Sequence, residues 1–421
     1  MREMKDGGIE WIGNIPASWK SVPMRYLFRE CTTKNRLGQE KTALKFTYGT
    51  IIPKTNFDAN TDDYVANTIM SYTVVHPGVI MINCLNLNYD FVSQRIGLVK
   101  DYGAITSAYL AIEPNNQVLS AYATYQLKSW DAAKAFHNMG TGVRKTLDFS
   151  ELGKKHFVLP TLGEQKNIVA FLDSKCSEID AISADIQKEI ETLEQYKRSL
   201  VFEAISKGIN GEKAANTSSD IWKEIPQSWK LVDIKYLFEI VKRIAGREGY
   251  NILSVTQKGL KVKDISGNQG QIAENYSGYQ FVFPSDYVMN HMDLLTGWID
   301  CSDQFGVTSP DYRVFRLRDK TQNDTEYYKY VMQCCYMCRI FYSLGQGVST
   351  LGRWRLQTSA FMNFKVPVPP LHEQKEIARY LNDKCKEIEL SIEQKRKQLE
   401  LLSAYKKSLI YEYVTGKKEV I

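Results

Sequence analysis

A chain of 421 residues, 43% hydrophobic and 12% aromatic, has room for two or three domains with real cores, which excludes a disordered polypeptide. Its 54 basic and 48 acidic side chains leave a net charge of +6, which permits nucleic-acid binding without demanding it, because what matters is basic charge gathered on one face. No stretch approaches the run of about 18 apolar residues that a membrane span needs, and the opening MREMKDGGIEWIG lacks the apolar centre of a signal peptide, so a soluble cytoplasmic chain with reduced cysteines is expected.

In chain order, the first recognisable block is Ile15-Pro16 with Ser18-Trp19-Lys20, followed by Tyr26-Leu27-Phe28 and by Thr47 with Gly49. The polar, turn-rich stretch TNFDANTDD reads as a loop, and FVSQRIGLVK alternates like a strand. Next come a helical pattern over AYATYQLKSWDAAKAFHNM and a glycine loop, Gly140-Thr141-Gly142-Val143. After the long segment that begins at Leu162, the stretch GINGEKAANTSSD is small, polar and aperiodic, and reads as a linker.

The same blocks then return in the same order. Ile225-Pro226, Ser228-Trp229-Lys230, Tyr236-Leu237-Phe238, Thr256 with Gly259, YQFVFPSDYVMN against YTVVHPGVIMIN, Thr308-Ser309 against Thr106-Ser107, and Gly345-Gln346-Gly347-Val348 restate the first half. DISGNQGQ reads as a loop, YRVFRLR as a strand and TEYYKYVMQCCYMCRIFYSL as a helix. Leu162 to Glu203 aligns without gaps on Leu371 to Glu412, including Glu164-Gln165-Lys166 on Glu373-Gln374-Lys375. The chain is two copies of one mixed α/β (α+β) unit, each a globular domain followed by a long helix. The domains are placed at 1–161 and 209–370, and the spacer helices at 162–208 and 371–421.

Leu172, Ile179, Ile186, Leu193 and Leu200 recur every seventh residue, with Ile168, Cys176, Ile182 and Ile190 in the flanking seam. The second copy carries Leu381, Ile388, Leu402 and Leu409 in one row and Cys385, Ile392 and Leu399 beside it, with Lys395 interrupting. Such stripes need a partner, and the obvious one is the other helix. An antiparallel coiled coil with internal pseudo-twofold symmetry is expected, because a parallel pair would require the chain to double back along it. Duplex DNA has a matching local symmetry, and two diverged domains suit two different half-sites separated by unread base pairs.

WIGNIPASWK, the GTGVRKTL loop, the VLPTLGEQKNI helix start and their second-half partners together resemble the specificity subunit of type I restriction-modification systems, over essentially the whole chain. The resemblance implies two target recognition domains and two helical spacers. It also implies partners: double-stranded DNA, two methylating subunits and, in the full complex, two restriction subunits. Those partners would supply adenine methylation from S-adenosylmethionine and cleavage driven by ATP with Mg, so no cofactor is expected in this chain.

No methyltransferase-type Asn/Asp-Pro-Pro-aromatic motif and no phosphate loop of the G-x-x-x-x-G-K-[ST] type occurs, so no catalytic residue is expected. Glu164-x-Lys166 and Glu373-x-Lys375 imitate half of a nuclease motif, but each begins a helix, where glutamate complements the dipole. Five scattered histidines and the Cys334, Cys335, Cys338 group offer no metal-ligand spacing; the thiols read as buried. The DNA-reading candidates are Thr141, Arg144 and Lys145 in the first glycine loop and Gln346, Ser349, Thr350, Arg353 and Arg355 in the second. Arg95, Lys100, Thr106, Ser107, Thr308 and Ser309 are further candidates. Trp19/Trp229 and Tyr72/Tyr279 read as packing residues. The competing readings are a single-chain DNA methyltransferase or nuclease, and a coiled-coil scaffold without a DNA role.

Overall fold

The computed structural model describes residues 2–55, 63–92, 94–140, 145–263, 275–347 and 354–420. They form two compact units, Met1–Ile186 with Lys397–Ile421, and Gln187–Arg396.

The first unit opens on a hairpin, Met4–Asp6 with Asn14–Pro16, and then sends Lys20–Pro23 antiparallel against His156–Leu159. Its centre is a four-stranded antiparallel sheet in the order Phe28–Glu30, Leu110–Pro114, Ile80–Ile82, Ile96–Leu98. Two ribbons flank it, Thr73–Val75 with Gly103–Ile105 and Leu44–Thr47 with Thr50–Pro53. Ile80, Met81 and Ile82 are all fully buried, which explains why this strand reads as a continuous apolar run instead of alternating. The helix Ser120–Ala132 lies against the sheet's outer strand and contributes Tyr122, Leu127 and Trp130 to one core with Trp19, Phe28 and Phe157.

The second unit repeats every sheet. Ala214–Asn216 pairs with Glu224–Pro226, and Lys230–Asp233 with Lys365–Val368. The central sheet runs Phe238–Val241, Arg313–Leu317, Tyr287–Met289, Ile299–Cys301, flanked by Gln280–Val282 with Gly306–Thr308 and by Leu253–Thr256 with Gly259–Val262. Both large domain helices break at matching places. Lys134 (φ 59°) and Arg339 (φ 55°) take the left-handed conformation and start a short second helix, Ala135–Asn138 or Ile340–Ser343.

Some sequence expectations are corrected. The linker 208–220 contains the strand Ala214–Asn216, the counterpart of the opening hairpin strand. Among the described residues of the strand expected over 91–100, Ile96–Leu98 form a strand, and the residues just before them are held by a buried arginine described below. The stretch 55–63 runs into a helix, Asp63–Met70; most of that stretch, and 264–271, lie outside the described residues.

The long helices are Leu162–Lys207 and Leu371–Val414. Within the first unit Phe171 packs on Tyr413 at a ring separation of 4.4 Å, and Asp180 accepts from Lys406 at 2.6 Å. Rising numbers on one helix meet falling numbers on the other, so the segments run antiparallel. Within the second unit the pairs Glu189–Lys395 and Lys197–Glu389 show the same sense, as does Arg396–Glu194 at 3.1 Å. Of the expected helix core, Leu172, Ile179, Leu200, Leu381, Ile388, Ile392 and Leu409 are buried, and Ile186, Leu193, Leu399 and Leu402 half-buried. Ile182 is 49% exposed and leaves the seam, because its position in the heptad faces away from the paired helix.

Candidate nucleic-acid interface

The repeated helix start is a socket. Glu164 accepts from the Trp19 indole N–H at 3.0 Å and from Arg2 at 2.8 Å, and its partner Glu373 accepts from Trp229 at 2.8 Å. Gln165 and Gln374 are buried, and each fixes the loop entering its domain helix through Leu119 N or Asp324 N, both at 2.8 Å. These hydrogen bonds hold each globular domain to the helix that follows it, and Lys166 and Lys375 point to solvent.

The two glycine loops stand on equivalent feet. In the first unit Gly140 has φ 87°, and a Cβ there would meet the Thr146 carbonyl at 2.5 Å. Leu87 N donates to Lys145 O at 3.0 Å and Leu147 N to Cys84 O at 3.4 Å. In the second unit Leu294 N donates to Trp354 O at 3.2 Å and Leu356 N to His291 O at 2.9 Å. Lys145 therefore corresponds to Trp354 and Leu147 to Leu356, and the second loop is the longer. Its stem is closed by reciprocal backbone bonds between Gln346 and Arg355 at 3.0 and 3.1 Å. Gly347 is needed there because a Cβ would strike the Trp354 ring at 2.9 Å. Gln346 and Arg355 are exposed and Lys145 is half-buried. Thr141, Arg144, Ser349, Thr350 and Arg353 lie outside the described residues.

Arg95 is corrected from a DNA contact to a structural residue. It is wholly buried, and its guanidinium donates to the carbonyls of Asn83 and Leu85, both at 2.9 Å, and of Asp90 at 2.6 Å. It shapes the segment on which the first loop stands. Arg313 plays a similar part in the second unit, donating to Leu356 O at 3.0 Å and to Thr358 at 3.2 Å. Burial, with Arg313 and Arg355 adding repulsion, pushes the His291 imidazole down to about 4.

Thr308 is likewise corrected: it is fully buried and donates to Leu253 O at 2.9 Å, so it pins the flanking ribbon to the neighbouring hairpin. Ser107 is exposed, but its hydroxyl is committed to Ser71 O at 2.9 Å and to a polar group with Thr73 and Lys34. Thr106 and Ser309 are half-buried, and each accepts from a backbone N–H of its own turn, Ala108 N at 3.4 Å and Asp311 N at 3.3 Å. Lys100 is exposed and lies close enough to Lys128 to hold its ammonium pKa down, after burial and Lys406.

The structure adds basic residues that no linear pattern collects. In the second unit a cleft of about 1000 Å³ runs between the helix pair and the domain, lined, alongside the carboxylates of Glu194, Asp300, Glu389 and Glu393, by Arg198, Lys258, Lys329, Arg339, Lys386 and Arg396. They come from five separate places in the chain, so spacing gave no signal. Arg198, Lys386 and Arg396 lie within the repeated helices, and Lys258 stands at a hairpin tip whose counterpart is the 80% exposed Tyr48. Among the described residues, no group of three His, Cys, Asp or Glu side chains could hold a metal ion, and no helix is long and apolar enough to cross a membrane.

The sequence profile of the family described as the type I restriction modification DNA specificity domain matches residues 226–401. The type I restriction enzyme MjaVIII specificity subunit of Methanocaldococcus jannaschii is 26% identical over 76% of this chain and 75% of its own. A putative type I restriction enzyme MjaX specificity subunit of the same organism is 24% identical over 97% of this chain and 96% of its own. Among solved structures, a chain from work on complex assembly and conformational transition of the type I R-M system superimposes with a TM-score of 0.68, at 13% identity, over 96% of this chain and 99% of that one. The chain is thus similar, in sequence and in fold, to the specificity subunits of type I restriction-modification systems.

Proposed function

We propose that this chain is the non-catalytic DNA-reading subunit of its system and recognises a bipartite, asymmetric site in double-stranded DNA. Residues 1–161 and 209–370 are the two target recognition domains, one per half-site. Residues 162–208 and 371–421 are the spacers that set the gap. One observation carries the reading: the same set of sheets is built twice, with the same glycine-loop feet, while the loops on those feet differ in length and side chains. Shared parts then serve scaffold and phosphate contact, and unlike parts choose bases. Lys145, Gln346 and Arg355, with the loop residues Thr141, Arg144, Ser349, Thr350 and Arg353, are the proposed readers. Lys100 and the basic cleft are proposed to meet the phosphate backbone.

Two methylating subunits and two restriction subunits are the proposed partners. They would bring S-adenosylmethionine, ATP and Mg, and the complex would work in the cytoplasm. A single-chain enzyme and a DNA-independent scaffold are both disfavoured by the similarity to specificity subunits.

The test is methylome sequencing of cells expressing the chain with its cognate methylating subunit. One methylated bipartite motif is expected. Exchanging residues 1–161 for those of a homologue should alter one half of the motif and leave the other intact. A change in both halves would refute independent reading.

A further inference from the structure

The helix Thr325–Met337 ends in three cysteines that DNA reading does not use. Cys334 and Cys335 are buried, and Cys338 is exposed at the helix end. The sulfurs of Cys334 and Cys338 lie 3.8 Å apart, in hydrogen-bond contact. Helical i, i+4 spacing separates their Cα atoms by roughly 6 Å, inside the range that a disulfide spans. Cys338 N closes the last helical turn on Cys334 O at 2.9 Å, and the next residue, Arg339, is already left-handed with φ 55°. Helical backbone geometry therefore stops directly after Cys338, which places this thiol at the end of the last turn and not inside the helix. Cys335, one position away on the helix and wholly buried, makes no sulfur–sulfur hydrogen bond among the described residues.

We propose that Cys338 and Cys334 form a redox-responsive dithiol, oxidised by hydrogen peroxide to an intrahelical disulfide. The Cys338 thiolate attacks the peroxide: an S–O bond forms, the O–O bond breaks, and the departing hydroxide takes a proton to leave as water. The Cys334 thiol then attacks the sulfenic sulfur; the S–S bond forms, the S–O bond breaks, and a second water leaves with the Cys334 proton. Two thiols are oxidised by two electrons and one peroxide is reduced. The Cys334 hydrogen bond and the nearby Arg198 guanidinium hold the Cys338 thiol below its usual range, while that same hydrogen bond and then burial push Cys334 up, so the exposed sulfur attacks and the buried one resolves. Closure acts on the turn that carries Tyr336, whose hydroxyl donates to Asn290 O at 2.7 Å, and Gln333, which donates to Asp300 at 3.1 Å. Asp300 in turn accepts from Leu260 N at 2.8 Å, so the strain reaches the hairpin whose tip is Lys258.

Trypsin releases all three cysteines in one peptide, YVMQCCYMCR, which spans residues 330–339. The full-length chain is treated with hydrogen peroxide, alkylated and digested. The expected product is this peptide with a mass about 2 Da lower, a single alkyl group on Cys335, and full reversal by dithiothreitol. C335S should keep the 2 Da loss, and C338S, a surface change that leaves the fold intact, should abolish it. Oxygen addition at Cys338 without loss of hydrogen, or a 2 Da loss that survives C338S, would overturn the proposal.

Discussion

At the residue scale, two basic groups, the buried Arg95 and the half-buried His291, carry more of the fold than their charge suggests. Arg95 satisfies three carbonyls at 0% exposure, so Arg95→Met strands those acceptors as well as removing a cation. A loss of about 3 kcal/mol or more is expected from the chemical unfolding midpoint of the first unit, with the second unit unchanged. His291 is held down to about 4 against an ordinary value of 6.5. Between those two values the unfolded chain binds a proton that the folded chain does not, so stability contributed here is full above the ordinary value and falls as pH drops toward 4. Thermal melts across that window should show a steeper fall for the wild-type chain than for H291N. An equal slope in both would remove His291 from the account. Neither role was legible beforehand: an arginine beside a polar loop reads as a nucleic-acid contact, and only the three converging carbonyls reveal it as internal.

At the element scale, the helices were the most legible part of the chain, because an unbroken seven-residue apolar recurrence has one structural meaning. Leu172→Ala should cost about 3 kcal/mol, since its side chain is fully buried against the second helix and leaves a cavity. The cross-helix ion pairs are surface features. Exchanging Asp180 and Lys406 should restore most of what either single reversal loses, and each single change should stay within about 1 kcal/mol in a double-mutant cycle. The ion-pair register also defines the spacer test. One added turn, about 6 Å, must enter both helices to preserve the pairing, and should lengthen the tolerated gap by roughly one or two base pairs. An unchanged gap would show that the helices are not the ruler. The strands were less legible. The three-residue strands at Ala214–Asn216 and Ile96–Leu98 are too short for period-two alternation to show, and their pairing is set by partners elsewhere. The basic cleft was invisible for a related reason, since its residues meet only through the tertiary fold.

At the scale of the whole molecule, the repeat predicted two similar domains, but not that each compact unit takes its helix pair from two distant stretches of sequence. The first unit's core joins Ile12, Trp19 and Leu172 to Leu409, Ile410 and Val414. Deleting residues 397–421 should therefore melt the first unit and spare the second, which ends at Arg396. Hydrogen exchange resolved by peptide would read the two separately, and protection lost equally in both would contradict that division.

That partition reverses the expected order of events on the ribosome. The domain translated first must wait, with the apolar flank of its helix uncovered, until the final stretch of chain has emerged. The domain translated second closes earlier. The period between the two is when the nascent polypeptide is most exposed to chaperones and to wrong pairing with a neighbouring copy.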